Sequence, residues 1–209
     1  MTIQPFTSLT GIAASLPEEN IDTDVIYPAR FLLITARDGL GNYAFHDRRF
    51  TADGQERPEF VLNRAPWRDA PILVAGANFG SGSSREQAVW ALLGRGIRCV
   101  IAPSFGEIFH ANCYRNGVLP VTLPAADVAR LAALAEAGAE LTIDLPGQII
   151  AVEGMAPLSF AIAPDRKQAL INGWDETAVL LNAHGKDIAV FETRHRAVQP
   201  WLFEEEARP

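Results

Sequence analysis

Residues 71–102 read PILVAGANFGSGSSREQAVWALLGRGIRCVIA. An apolar run, 71–76, is followed by a glycine- and serine-rich corner, a helical stretch at 83–95 and a second apolar run at 97–102. Short apolar runs without alternation suit strands covered on both faces, and strand–helix–strand order makes a βαβ unit in a parallel sheet. The pattern continues with a predicted helix at 105–115, a strand at 118–122 and a helix at 124–138, which has proline at its start and glycine at its end. Val128, Leu131, Ala132 and Ala135 share one face of that last helix.

Outward from this centre the period changes. ELTIDL, QIIAVE and PLSFAIA, from 140 to 163, alternate apolar and polar residues between turn signals, which predicts an antiparallel meander. Helices are expected at 165–173 and 175–184. Upstream, 5–14 and 20–27 are predicted as short strands around the turn LPEEN, and 29–37 as a helix ending at Gly39. Residues 40–58 are expected to form a long loop with a short helix near Tyr43–Phe45, and the overlapping segment 38–50 is expected to be mobile in the isolated chain. The fold class is α/β, a layered arrangement of strands and helices in a single domain over 1–209.

Composition narrows the function classes. Hydrophobic residues make up 48% and charged residues 21% of the chain, which suits a folded globular domain. A net charge of −7, with no basic cluster beyond RHR at 194–196, argues against a nucleic-acid partner. No apolar run approaches the roughly 18 residues a membrane span needs. The N-terminal MTIQPFTSLTGIAASLP lacks a basic segment and a continuous apolar core, so it is expected to be mature protein. Cys99 and Cys113 fall in an apolar strand and a predicted helix; they suit buried hydrophobes and a cytoplasmic location rather than a disulfide framework. His46, His110, His184 and His195 lack ligand spacing, and no metal ligand is assigned.

The corner 80–86, GSGSSRE, carries the chemistry. Ser83 and Glu86 match a capping box, which predicts a well-capped helix start. The same geometry attracts anions through free N–H groups and partial positive charge, and Gly80 and Gly82 permit close backbone approach. Arg85 can form a forked pair with a carboxylate. A Walker loop, a dinucleotide fingerprint and a hydrolase elbow all fail on spacing. What remains is a site for a small carboxylate in which a serine could also act as a base.

GSGSSREQA at 80–88 resembles the G-x-G-S-S-R-E-H-A segment of the aconitase superfamily's swivelling domain. NIDTDVIYPARFL at 20–32 and DGLGNYAFHDRRF at 38–50 are similar to segments of the 3-isopropylmalate dehydratase small-subunit family. So are VIAPSFGEIFHANCYRNGVLPV at 100–121, RKQALINGWDETAVLL at 166–181 and RAVQPWL at 196–202. The resemblance implies a swivelling β/β/α domain and a hydro-lyase that moves a hydroxyl between adjacent carbons of a malate derivative. It implies a [4Fe–4S] cluster held by a large partner subunit, with no cofactor in this chain, and a dicarboxylate substrate. Residue by residue, it implies that Ser83 is the catalytic base and that Ser84, Arg85 and Gly82 contact substrate. Asp24 would be an acid of the site orienting a partner group, with Asp22 the weaker candidate or a turn former, and Arg30 would face the substrate side chain. Gln87 stands where the family has histidine, Ser81 where cysteine is frequent, and Arg48 near the usual tryptophan. These departures leave the serine–arginine core intact and bear on substrate choice, with citramalate, dimethylmalate or another 2-alkylmalate as the alternatives.

Overall fold

A computed structural model describes residues 3–203. Strand β1 (Ser8–Leu16) is the seam of its sheet. On one side lie β2 (Ile72–Ala75), β3 (Cys99–Ala102) and β4 (Leu119–Thr122), all parallel, with Ala13 opposite Ile72 and Leu73 opposite Val100. On the other lie the antiparallel β5 (Glu140–Asp144), β6 (Ile149–Val152) and β7 (Leu158–Ser159), giving the order β4-β3-β2-β1-β5-β6-β7. The two periods of the sequence thus become two halves of one sheet.

The helices follow in chain order as α1 (Thr23–Ile26), α2 (His46–Arg49), α3 (Glu86–Gly94), α4 (Glu107–Asn116), α5 (Ala125–Glu136), α6 (Pro164–Asn172) and α7 (Glu176–Val198). Leu73, Ala75, Val100 and Ala102 point to one core, closed by Val89 and Leu92 of α3 and Phe109 of α4. Ile72, Val74, Cys99 and Ile101 point to a second, closed by Val128 and Leu131 of α5, Leu170 of α6 and the inner residues of the meander. Each fully buried Leu, Ile or Val contributes about 1.5–3 kcal/mol, so the parallel strands anchor both layers.

Five expectations are corrected. Residues 20–27 are not a strand: Asn20 has φ 59, in the left-handed region, and Asp22 caps α1 by accepting from the Val25 N–H at 2.8 Å. Residues 29–37 form only a 3-10 turn at Ala29–Phe31; Phe31, Leu32 and Ile34 pack against the core, while Leu33 between them is 92% exposed. The third predicted meander strand shortens to Leu158–Ser159, and α7 continues 14 residues past the expected 184, to Val198. The 38–50 segment is not a loose loop. Leu40, Ala44 and Phe45 are buried, and the buried Arg49 donates to the carbonyls of Asn42 and Ala44 and to Asn63 Oδ1. Burial pushes the Arg49 guanidinium down to about 10, so it stays charged at neutral pH.

Candidate active site at the glycine-serine corner

The loop from Gly76 to Arg85 leaves the C-terminal end of β2 and runs to α3. Two glycines shape it. Gly80 has φ 73, and a Cβ there would lie 2.2 Å from the ring of Phe109, so the backbone is pressed onto α4. Gly82 has φ 87 and lies against Asp22 and Thr23.

The segment 21–24 grips this loop along its length. The Gly80 N–H donates to the Ile21 carbonyl at 2.7 Å, and the Thr23 N–H donates to the Ser81 carbonyl at 2.9 Å. The Thr23 hydroxyl donates to the Ser83 carbonyl at 2.9 Å. The Asp24 carboxylate forms an ion pair with Arg85. Three alternate loop residues, 81, 83 and 85, are therefore held by one turn at the start of α1.

The capping box is not formed. Helix α3 starts at Glu86 with Arg85 at its N-cap, and no side chain caps it. The Glu86 carboxylate instead accepts from Asn116 Nδ2 at 2.8 Å. Ser83 thus lies ahead of the first helical turn rather than capping it, and Arg85 is the cap residue rather than a first-turn residue.

Ser83 and Ser84 are exposed, side by side, with Gly82 before them and Arg85 after. The Arg85 side chain is only 13% exposed, whereas Asp24 is 52% exposed. The buried Nη1 of Arg85 pairs with the Asp24 carboxylate, which fixes the guanidinium at the corner. Arg85 beside Asp24 holds its carboxyl below the usual range; slight burial opposes this and the Ala29 N–H, 3.1 Å away, adds to it. Asp24 is therefore a fixed anion whose direct effect is on Arg85.

Arg30 stands apart from this group. It pairs with Asp47, approaches His46 Nδ1 at 3.1 Å and lies over the Phe31 ring. Asp47 and Thr23 are the residues that sequence reasoning missed. Thr23 could have been suspected from its place between the two acids of DTD; nothing local to Asp47 marks it as the partner of Arg30.

Among the described residues no group of three His, Cys, Asp or Glu side chains could hold a metal ion. Cys99 and Cys113 are free and buried, and burial pushes both thiols up, away from the thiolate form that ligates iron. The donor set of the described residues does not fit an iron–sulfur cluster.

With this geometry in place, the comparisons with known proteins are specific. Residues 3–126 match the aconitase C-terminal domain, and residues 183–205 match the C-terminal domain of the 3-isopropylmalate dehydratase small subunit. The 3-isopropylmalate dehydratase small subunit of Rhodospirillum rubrum is 50% identical over 204 residues, covering 96% of this chain and 97% of that one. The protein of the same name from Rhodospirillum centenum is 49% identical over 201 residues, covering 95% and 98%. A crystal structure of 3-isopropylmalate dehydratase from Methanocaldococcus jannaschii superposes with a TM-score of 0.64 at 23% identity over 90% of this chain and 98% of that one, which supports the fold. The seven-stranded layered α/β sheet, the corner that follows β2 and identity of about one half over nearly the full length agree: the chain belongs to the 3-isopropylmalate dehydratase small-subunit family.

Proposed function

We propose that this chain is the small subunit of a hydro-lyase that interconverts 2-isopropylmalate and 3-isopropylmalate by dehydration and rehydration in leucine biosynthesis. The chain acts as one swivelling domain in the cytoplasm, bound to a large subunit. The observation that carries the reading is the half-built site: a buried, cation-bearing Arg85 beside two exposed serines on an open corner.

In this reading Ser83 removes and returns the proton on the carbon beside a substrate carboxylate. Arg85 and Ser84 hold that carboxylate, and Arg85 stabilises the negative charge that develops on proton loss. Gly82 lets the backbone approach. Asp24 keeps Arg85 aimed. A serine is a weak acid in water, so the proton transfer needs the corner covered and water removed, which the large subunit does on docking. The [4Fe–4S] cluster is assigned to that large subunit, where Lewis acidity serves the departing hydroxyl. Arg30, paired with Asp47, is assigned to the substrate side chain. Neither nucleic acid nor membrane has a part in this reading; the net charge is −7 and no helix among the described residues is long and apolar enough to cross a membrane.

The test is turnover in anaerobic mixtures of this chain with the iron–sulfur large subunit, each alone as control, with 3-isopropylmalate and citramalate as substrates. The expected result is unsaturated acid only in the mixture and faster from 3-isopropylmalate. Ser83→Ala should still bind the large subunit and lose turnover by a factor on the order of 10³ or more, the scale of losing a catalytic group. Near-normal turnover of Ser83→Ala would remove the base assignment. Faster turnover of citramalate would move the substrate to another 2-alkylmalate and point to Ser81 and Gln87.

A further inference from the structure

Thr23 sits between the two acids of DTD, closed off from solvent. Its exposure is 2%. From this position it makes two hydrogen bonds to the loop on either side of Gly82: its N–H to the Ser81 carbonyl and its hydroxyl to the Ser83 carbonyl, both 2.9 Å. Its own carbonyl accepts from the Tyr27 N–H at 2.9 Å, so the residue is rooted in α1 while it grips the loop. We infer that Thr23 is a positioning residue of the site, whose hydroxyl fixes the backbone of Ser83 and so the direction in which the serine oxygen is presented.

Three features single out this contact. Gly82, with φ 87 and no side chain, is the flexible joint of the corner, and the bond to Ser83 is the first restraint after it. Ser83 is exposed and has no side-chain hydrogen bond among the described residues, so its backbone is what aims it. The neighbouring restraints act elsewhere: the Asp22 carboxylate caps α1 at Val25, the backbone bridge between 22 and 81 holds Ser81, and Asp24 pairs with Arg85. Removing the Thr23 hydroxyl frees Ser83 while leaving the carboxylate-binding arginine in place.

The inference rests on Ser83 being the base, and the experiment separates the two. Thr23→Val, Thr23→Ser and Ser83→Ala are each assembled with the large subunit and assayed with 3-isopropylmalate. Thr23→Val, which keeps size and burial but loses the donor, should lower kcat roughly 10- to 100-fold, the scale at which about 1 Å of misplacement acts, with KM changed less than about threefold. Thr23→Ser should recover most of kcat. Amides of 81–85 should exchange with deuterium faster in Thr23→Val than in the wild type, a readout independent of activity. If Thr23→Val loses its folded circular-dichroism spectrum, Thr23→Ala, lacking the donor without an added methyl, takes its place in the same comparison. Wild-type kcat in the folded hydroxyl-less variant, with Ser83→Ala inactive, overturns the positioning role and leaves the base intact. Activity in Ser83→Ala overturns the base assignment itself. Equal losses in Thr23→Val and Thr23→Ser would mean that the hydroxyl by itself does not fix Ser83, and also overturn the inference.

Discussion

Gly80 meets two demands that no other residue type meets together: a φ of 73, and a Cβ direction already occupied by the Phe109 ring. Gly80→Ala should destabilise the chain by roughly 2–4 kcal/mol, combining left-handed strain with overpacking. The shift would be read as a lower urea midpoint at unchanged slope; an unchanged midpoint would mean that Phe109 swings aside freely. Asp24 gives a pH-dependent counterpart. Its folded pKa is depressed, chiefly by Arg85, so its contribution is present above the ordinary carboxyl range and is lost as pH falls through the lower folded value. Because Asp24 is half exposed, that contribution is at most about 1 kcal/mol. The stability difference between wild type and Asp24→Asn should therefore favour wild type at pH 7 and shrink below about pH 4. A difference constant from pH 7 to pH 3 would show that the ion pair does not stabilise the fold.

Helix α3 shows which parts of the structure local pattern reveals. Its apolar face, the strands on either side and the βαβ order follow from runs that have few other ways to be buried. Its N-terminus does not. Ser83 and Glu86 have capping-box spacing, yet Glu86 is engaged by Asn116, 30 residues away on α4. Asn116 also accepts from Trp90 Nε1 at 2.9 Å, tying two points of α3 to one side chain. A distant partner overrides a local rule here, and nothing within five residues signals it. At 20–27 the override is local: a short strand is expected there, while the Asp22 cap and the left-handed Asn20 set a turn of helix. GSGSSRE carries its anion-binding chemistry locally, whereas Asp24 is a candidate only through the family resemblance; the pairing of Asp24 with Arg85 and of Thr23 with Ser83 depends on the fold. Asn116→Ala should lower stability by about 1–3 kcal/mol, since Trp90 Nε1 and the Glu86 carboxylate lose their partner together. Denaturant unfolding would measure it, and no change would mean that water replaces the amide at both sites.

At the scale of the whole molecule the chain divides into a doubly cored sheet and a helix that adds nothing to either core. Helix α7 runs 23 residues without one buried residue, and Leu180, Leu181, Val190 and Phe191 are all more than half exposed. Its ties to the body are near its start: Asp175 caps it, and Glu176 pairs with Arg115. Beyond those contacts it is held by its own hydrogen bonds and by the turn that follows it, where His195 and Arg196 meet the Phe203 ring, and an isolated helix of about 15 residues is marginal in water. The amides of 184–198 should therefore exchange within seconds to minutes in the isolated chain, while those of β2 and β3, buried between both cores, exchange only through global unfolding. Ending the chain after Asn182 should shift the thermal midpoint by less than about 3 °C, because less than about 1 kcal/mol of stability is removed from a domain of this size. A larger fall, or core-like protection of 184–198, would mean that the free chain buries this helix in solution. The stability of the sheet would then depend on a surface that the folded monomer leaves open.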